Sequence, residues 1–201
     1  MLLVQEYLQT HTLQDLEKDY AVEVSLAKCG KKFALNYNQH GAKVTDLLAC
    51  QCRGLVLAAE EHILTPQNYQ TTIIGPTTIL SYAFDRFFNY GQNEAEKHVD
   101  WSDPSIRFYE KADGTLIQVY FDPHHQEYRV STRSVPDADV PLEDGQTFRS
   151  LFDKALEKVA QMPFMEFTRH LNPRHTYIFE LISPYNQVVV NYGDYQLFLL
   201  G

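Results

Sequence analysis

The sequence has no uninterrupted apolar run of the ~18 residues that a membrane-spanning helix needs. Its first residues, "MLLVQEYLQTHTLQDL", are too polar, and too poor in lysine and arginine, for a secretory signal peptide. We therefore expect a cytoplasmic protein that has no membrane partner.

Cysteine is scarce, and its odd number of three argues against a disulfide framework. Cys50 and Cys52 lie two positions apart in "LLACQCRGLVL", but a zinc site needs two more ligands at a suitable spacing. Neither the isolated Cys29 nor the eight histidines supply a matching pair. We predict buried structural cysteines, with a zinc site as the minor alternative, and assign no metal ligands.

Positive charge is also in short supply, since 17 Lys and Arg face 26 Asp and Glu and the formal net charge is −9. A compact nucleic-acid-binding protein is usually basic, so this balance argues against a broad nucleic-acid surface but leaves room for a local cationic pocket. The sequence also lacks the P-loop, G-x-G-x-x-G, G-x-S-x-G and H-E-x-x-H patterns. The commonest nucleotide-binding, hydrolase and zinc-protease signatures are therefore excluded.

The apolar pattern predicts an α+β fold built on antiparallel sheet. A chain of 201 residues can bury one sizeable core, so we expect a single domain over 1–201, with an N-terminal helical segment at about 1–19 that is broken near 10–12. Another helix is expected over about 147–162. Its apolar stripe comprises Phe148, Leu151, Phe152, Leu156 and Val159.

Ten short segments have the composition of strands. They are "YAVEVSLA" (20–27), "KFALNYN" (32–38), "RGLVLAA" (53–59), "TTIIG" (71–75), "RFYEK" (107–111), "TLIQVYF" (115–121), "EYRVSTRS" (127–134), "TYIFELI" (176–182), "QVVVNY" (187–192) and "YQLFLLG" (195–201). The fifth to seventh of these segments are expected to form a meander, with turns at 113–114 and 122–125.

Some charged residues stand in apolar or aromatic surroundings. Glu180 lies inside "YIFELIS", and because burying a lone carboxylate is costly it either points to water from an edge strand or has a partner. Arg53 opens "CRGLVLA", where Gly54 would let a ligand or another backbone approach closely. Arg86 lies among five aromatic residues in "YAFDRFFNYG", either paired with Asp85 or directed at an anion.

Lys111 is the strongest candidate for chemistry. It ends an expected strand in "FYEKADGTLIQVY", and the tight turn at Asp113-Gly114 follows. It is either a solvated turn residue or a nucleophile, and a lysine amine is nucleophilic only in the neutral form that burial or nearby cations favour. Three arginines would supply such cations, and would also bind a polyphosphate, if they converge. They are Arg53, Arg86 and Arg133.

"EKADGTL" resembles the K-x-D-G motif of covalent nucleotidyltransferases, which include ATP-dependent ligases and mRNA capping enzymes. "CRGLVL" lies upstream, "FDRFFNYG" lies between, and "FELISPYNQVVVNY" lies downstream. With these motifs in this order, the chain from about residue 30 to 201 resembles the phage-type ATP-dependent RNA ligases that repair tRNA breaks. The resemblance implies the N-terminal part of an antiparallel-sheet nucleotidyltransferase domain of ATP-grasp-like type, the adenylylation domain.

The resemblance implies a three-step reaction with ATP and Mg²⁺. A lysyl-AMP forms, AMP passes to an RNA 5′-phosphate, and an RNA 3′-hydroxyl displaces AMP to seal the strand. The implied partner is RNA with 5′-phosphate and 3′-hydroxyl ends, either tRNA or another structured RNA. We therefore expect an RNA repair enzyme.

The resemblance also implies a role for each site residue. Lys111 would be the catalytic nucleophile, and Glu180 would bind the ribose hydroxyls. Arg53 would contact the phosphate or ribose side, Arg86 stands where the family commonly has lysine, and Arg133 matches a basic position near the phosphates. The other implied nucleotide-binding positions are Tyr37, Gly54, Phe88, Glu110 (through its backbone carbonyl), Asp113 and Gly114.

The sequence departs from the family in having no Glu-Gly and no Lys-x-Lys, which the family carries in two further strands. We therefore expect a domain truncated before its last strands, with those motifs absent or carried by a separate chain. Two alternatives to an RNA ligase stay open. One is another covalent nucleotidyltransferase, of DNA ligase or mRNA capping type, and the other is a non-catalytic or split-enzyme fragment that binds nucleotide or RNA.

Overall fold

The computed structural model describes residues 1–92, 99–142, 145–186 and 188–201. Within these ranges the helices are α1 (Leu3–Tyr7), α2 (Leu13–Tyr20), α3 (Leu47–Gln51), α4 (Phe148–Ala160) and α5 (Phe164–Thr168). The strands are β1 (Val22–Leu26), β2 (Lys32–Tyr37), β3 (Arg53–Ala59), β4 (Thr77–Ser81), β5 (Thr115–Asp122), β6 (Glu127–Thr132), β7 (Tyr177–Ile182) and β8 (Gln196–Leu199). They form two antiparallel sheets, which confirms the predicted α+β class.

Side-chain caps define the starts of the two longest helices. The Thr12 hydroxyl accepts a hydrogen bond from the Asp15 amide (3.1 Å), and the Asp15 carboxylate accepts one from the Thr12 amide (2.9 Å). Thr147 and Ser150 form the same reciprocal pair at the start of α4, with both distances at 3.0 Å. Such capping boxes satisfy amides that have no partner inside the helix. The break predicted between the two N-terminal helices is therefore confirmed, and α2 begins directly after Thr12.

The first sheet has the strand order β1-β2-β3-β4, and an apolar core joins one of its faces to α1, α2 and α3. Every residue of β2 is buried. Its Phe33 and Leu35 belong to the helix-covered core, whereas Ala34 belongs to a separate cluster on the opposite face. Alternating side chains of one strand point to opposite faces, so this sheet is covered on both sides.

The second sheet has the order β6-β5-β7-β8 and packs one face against α4. The helix buries Leu151, Phe152, Ala155 and Leu156. The prediction for Val159 was wrong, because its side chain is 53% exposed. Ala155 takes its place in the apolar stripe, since it lies one turn from Leu151 on the side that faces the sheet.

The two sheets meet through the face that the helices leave open. Ala34, Val56, Ala58 and Leu80 of the first sheet form one buried cluster with Tyr120 of the second. Polar groups in this layer are also paired, as buried polar groups must be. The fully buried Gln118 accepts a hydrogen bond from the Ser81 hydroxyl (2.7 Å) and donates one to the Gly54 carbonyl (2.7 Å).

Three expected strands are wrong. Residues 71–75 form only an isolated bridge at Ile73, and the strand comes later, at β4. Residues 107–111 form no strand, because β6 and β7 pair with the two edges of β5 and leave no edge for a hairpin partner. Residues 188–192 form none either, and Gln187 of that segment lies outside the described residues.

Cys50 and Cys52 are buried as predicted, whereas Cys29 is exposed. In the described ranges, no three histidine, cysteine or acidic side chains lie close enough together to hold a metal ion. None of the helices that the structure describes is both long and apolar enough to cross a bilayer.

Candidate functional site

Two arginines that are far apart in sequence lie against the aromatic ring of Tyr37, the last residue of β2. The guanidinium carbon of Arg86 lies 4.4 Å from the ring centroid and that of Arg133 lies 4.7 Å from it. The Arg133 Nε donates a hydrogen bond to the Asn36 side-chain oxygen (2.8 Å), and Arg86 donates one to the Ala42 carbonyl (3.1 Å). Cation–π contact and these hydrogen bonds fix both guanidinium groups in place.

Arg53, the first residue of β3, is the third member of this group. Its guanidinium carbon lies 4.8 Å from the ring centroid of Phe84 and 4.6 Å from that of Phe87. Its Nη1 atom is buried and has no hydrogen-bond partner in the described part of the chain. Burial and then the nearby charge of Arg133 lower the pKa of Arg53, so two like charges lie close together.

The three arginines therefore lie close together, which was the condition for the cationic pocket that the sequence suggested. In the described ranges no carboxylate lies within 4.0 Å of any of the three guanidinium groups. The alternative that Arg86 pairs with Asp85 is wrong, because Asp85 accepts a hydrogen bond from Tyr82 instead. An uncompensated cluster of guanidinium groups attracts an anion and can bind phosphate oxygens in pairs.

Gly54 and Phe88 contribute to the geometry of the arginine cluster. A Cβ on Gly54 would lie 2.8 Å from Nε2 of Gln118 and 3.1 Å from Cα of Arg133, and its φ of +75° also favours glycine. Glycine therefore allows the backbones directly after Arg53 and around Arg133 to approach each other. The Phe88 ring is half-buried and lies 5.4 Å from the Arg86 guanidinium carbon.

A second group of contacts surrounds the turn that contains Lys111. The Gly114 amide donates a hydrogen bond to Oε1 of Glu180 (3.0 Å), in the neighbouring strand β7. The Asp113 carboxylate accepts hydrogen bonds from the amides of Val189 and Val190, both at 2.7 Å. These contacts tie the turn to β7 and to the loop that follows it.

The turn is not the hairpin that the sequence predicted. A Cβ on Gly114 would lie 2.4 Å from the Leu181 carbonyl oxygen, so glycine is required here for close strand approach. Asp113 acts as a backbone clamp, since two amide hydrogen bonds hold its pKa below the ordinary value and the positive charge of Lys111 acts in the same direction. Lys111 and Glu110 are both exposed.

Glu180 links the two groups of contacts. Burial raises its pKa above the ordinary value, and the Gly114 hydrogen bond and then the charges of Lys111 and Arg53 oppose that rise. Lys111 and Arg53 therefore both interact electrostatically with the Glu180 carboxylate. Glu180 is half-buried and has a partner, so the alternative that it points to water from an edge strand is wrong.

Sequence reasoning missed four residues that shape the site: Phe84, Phe87, Asn36 and Gln118. The two aromatic residues were visible in the aromatic run, but only contacts across the fold show that they flank Arg53. Asn36 and Gln118 were polar residues inside apolar strands, which is the signal that pointed to Glu180.

Comparisons with known proteins give a consistent result. Residues 51–201 match a family model described as RNA ligase. The chain is 27% identical over 203 residues to a protein of Autographa californica nuclear polyhedrosis virus whose name is that of a bifunctional polynucleotide kinase/RNA ligase, in an alignment that covers 96% of this chain and 27% of that protein. It is 28% identical over 230 residues to an RNA ligase of Rhodothermus phage RM378, covering 98% of this chain and 48% of the relative. The chain thus spans less than half the length of either relative.

Proposed function

The chain belongs to the RNA ligase family, and on this premise we propose that it is the adenylylating part of an ATP-dependent RNA ligase. The observation that supports the proposal best is the convergence of Arg53, Arg86 and Arg133 without a carboxylate partner in the described ranges. Such a cluster suits the phosphates of a nucleotide. The two antiparallel sheets are compatible with the nucleotidyltransferase fold that we propose.

In the proposed first step the neutral Lys111 amine attacks the α-phosphorus of ATP. A P–N bond forms, the bond to the β-phosphate oxygen breaks, pyrophosphate leaves, and the amine loses one proton. Negative charge gathers on the leaving pyrophosphate, where fixed guanidinium groups stabilise it without reorganising.

Glu180 and the aromatic rings would position the nucleoside. We assign the ribose hydroxyls to the Glu180 carboxylate, which lies between the Lys111 turn and Arg53. Tyr37 and Phe88 would line the pocket beside the arginines. The close backbone approaches at Gly54 and Gly114, and the hydrogen bonds that Asp113 accepts from backbone amides, would maintain its shape. The adenine amine is assigned to the backbone carbonyl of Glu110.

We propose that magnesium is held by the ATP phosphates and water, since the described residues contain no cluster of carboxylates for it. The later steps, AMP transfer to an RNA 5′-phosphate and sealing by a 3′-hydroxyl, would act on tRNA or another structured RNA in a repair reaction. We propose that a separate segment or chain supplies the E-G-x-V and K-x-K motifs. Cytoplasmic location and the single domain over 1–201 stay predictions.

The test is covalent labelling. The protein is incubated with ATP labelled at the α-phosphate and with Mg²⁺, denatured, and examined for label. We expect label that disappears in Lys111→Ala and persists in Lys28→Ala, an exposed lysine on the first sheet's β1–β2 turn. Labelling by GTP and not ATP would identify a capping-type enzyme. An unlabelled protein that still binds ATP would be a nucleotide-binding fragment, the candidate that the exposure of Lys111 favours.

A further inference from the structure

A basic loop between α5 and β7 stands out in this acidic chain. Residues 169–175 contain Arg169, His170, Arg174 and His175, and no acidic residue occurs between Glu166 and Glu180. All four side chains are exposed. Local positive charge of this kind, on a protein whose net charge is −9, marks a surface for an anionic partner.

The two arginines of this loop are available for binding. In the part of the chain that the structure describes, neither guanidinium group forms a hydrogen bond or an ion pair. Other arginines nearby differ in this respect, since Arg149 pairs with Asp153 (3.0 Å) and Arg129 pairs with Glu127. Arg169 and Arg174 therefore keep their full hydrogen-bonding capacity for a ligand.

The loop is held in a defined shape. The Asn172 side chain accepts a hydrogen bond from the Arg174 amide (3.0 Å), and the Asn172 amide donates one to the Tyr177 hydroxyl (2.7 Å). The Leu171 carbonyl accepts one from the Tyr128 hydroxyl (2.9 Å). A preorganised loop loses little conformational entropy when it binds a ligand.

A groove of about 830 Å³ connects this loop to the neighbourhood of the nucleotide site. Its lining includes Arg174 and His175 from the loop and Tyr82 and Phe84 from the segment after β4. The Tyr82 amide donates a hydrogen bond to the Thr176 hydroxyl (3.3 Å), which joins these two segments of the chain. Phe84 also contacts the Arg53 guanidinium group. The groove therefore lies directly behind a wall of the proposed nucleotide site.

We propose that this groove and the basic loop beside it bind the phosphate backbone of the RNA substrate. Arg174 contacts phosphates from the lining of the groove, Arg169 contacts them from the other end of the loop, and Tyr82 and Phe84 offer faces for base stacking. Unpaired arginines beside aromatic rings are the combination that binds single-stranded nucleic acid with little sequence preference. This proposal rests on the proposed RNA ligase function and adds the surface on which the RNA lies. It also reconciles RNA binding with the acidic chain, because this loop is locally basic.

The test measures binding of a 5′-phosphorylated single-stranded RNA by fluorescence anisotropy at several salt concentrations. The double variant Arg169→Gln/Arg174→Gln is compared with Lys18→Gln/Lys28→Gln, which removes the same charge from two exposed lysines elsewhere. We expect the first variant to weaken binding about tenfold and to lower the slope of log K against log salt by about 1.4, because each lost phosphate contact on a single strand contributes about 0.7. The control variant should keep the wild-type slope.

Labelling by ATP is measured in parallel and should be unchanged in both double variants, since none of the four residues lies in the proposed nucleotide site. If ATP does not label the wild-type protein, the proposed function is overturned. The RNA-binding measurement still tests the proposed role of the groove in that case. Equal RNA affinity and salt slope in wild type and Arg169→Gln/Arg174→Gln would overturn the proposal. So would an equal loss in the lysine control, or arginine-dependent binding to anionic lipid vesicles without binding to RNA.

Discussion

Replacing Gly114 by alanine is expected to slow the labelling of Lys111 by ATP about 100-fold. The new Cβ would lie 2.4 Å from the Leu181 carbonyl oxygen and 3.1 Å from Cγ of Glu180. Ordinary contact begins near 3.4 Å, so β5 and β7 must separate by about 1 Å at this point. A misplacement of about 1 Å in an active site can cost roughly 100-fold in rate.

The same substitution should also destabilise the protein, since overpacking of this kind typically costs about 1–3 kcal/mol. The single-turnover rate of label transfer from ATP measures the first effect, and urea unfolding measures the second. Gly145→Ala is the matched control, because its φ of +80° makes alanine strained although nothing lies within 4 Å of the new Cβ. It should lose about 1 kcal/mol and keep its labelling rate.

A Gly114→Ala rate within about threefold of wild type would refute this reasoning. It would mean that the spacing between β5 and β7 does not position Lys111, or that the Glu180 contact to Gly114 is dispensable for the reaction. Equal slowing in Gly145→Ala would attribute the effect to lost stability and not to lost geometry.

Two further predictions concern buried charge. Burial raises the pKa of Glu180, so Glu180→Gln should match wild-type stability below pH 4.5, the ordinary pKa, and become the more stable protein as the pH rises above that value. The variant should also be labelled more slowly by ATP. Urea unfolding from about pH 4 to about pH 8 checks the stability, and a difference between variant and wild type that does not change with pH would contradict the prediction. Lys32 is buried against Asp122 (3.3 Å) and Asp137 (2.8 Å). Lys32→Met should lower the free energy of unfolding by about 3–5 kcal/mol, because a buried carboxylate loses its partner. Lys158→Met, at an exposed pair, should cost under about 1 kcal/mol, and similar losses in the two variants would contradict the role of burial.

Local patterns predicted much of the fold. The helices α2 and α4 follow from apolar spacing, and seven of the eight strands match segments expected from composition to within one residue at the strand's end. The failures, at residues 71–75, 107–111 and 188–192, share one cause. Apolar alternation shows that a segment can form a strand, but pairing needs a free sheet edge, and distant parts of the chain decide which edges are free.

The site was predictable in its residues but not in its arrangement. Arg53, Arg86 and Glu180 were conspicuous as charges in apolar surroundings, and the structure places Arg53 and Glu180 close enough that each affects the pKa of the other. The roles of Asp113 and Gly114 were misjudged as those of a hairpin turn. Their partners, on β7 and the loop after it, lie more than sixty residues away in sequence.

The sequence by itself determined the elements, the order of the motifs around Lys111 and hence the family resemblance, because these depend on neighbours along the chain. Only the tertiary structure decided that β7 pairs with β5 beside Gly114, and that arginines from β3, from the segment after β4 and from the residue after β6 meet around Tyr37. The physical reason is that the pairing depends on strand register across the second sheet, and the meeting of the arginines depends on the two sheets packing face to face. Burial and sheet register select that packing over the whole chain, and no local period encodes it.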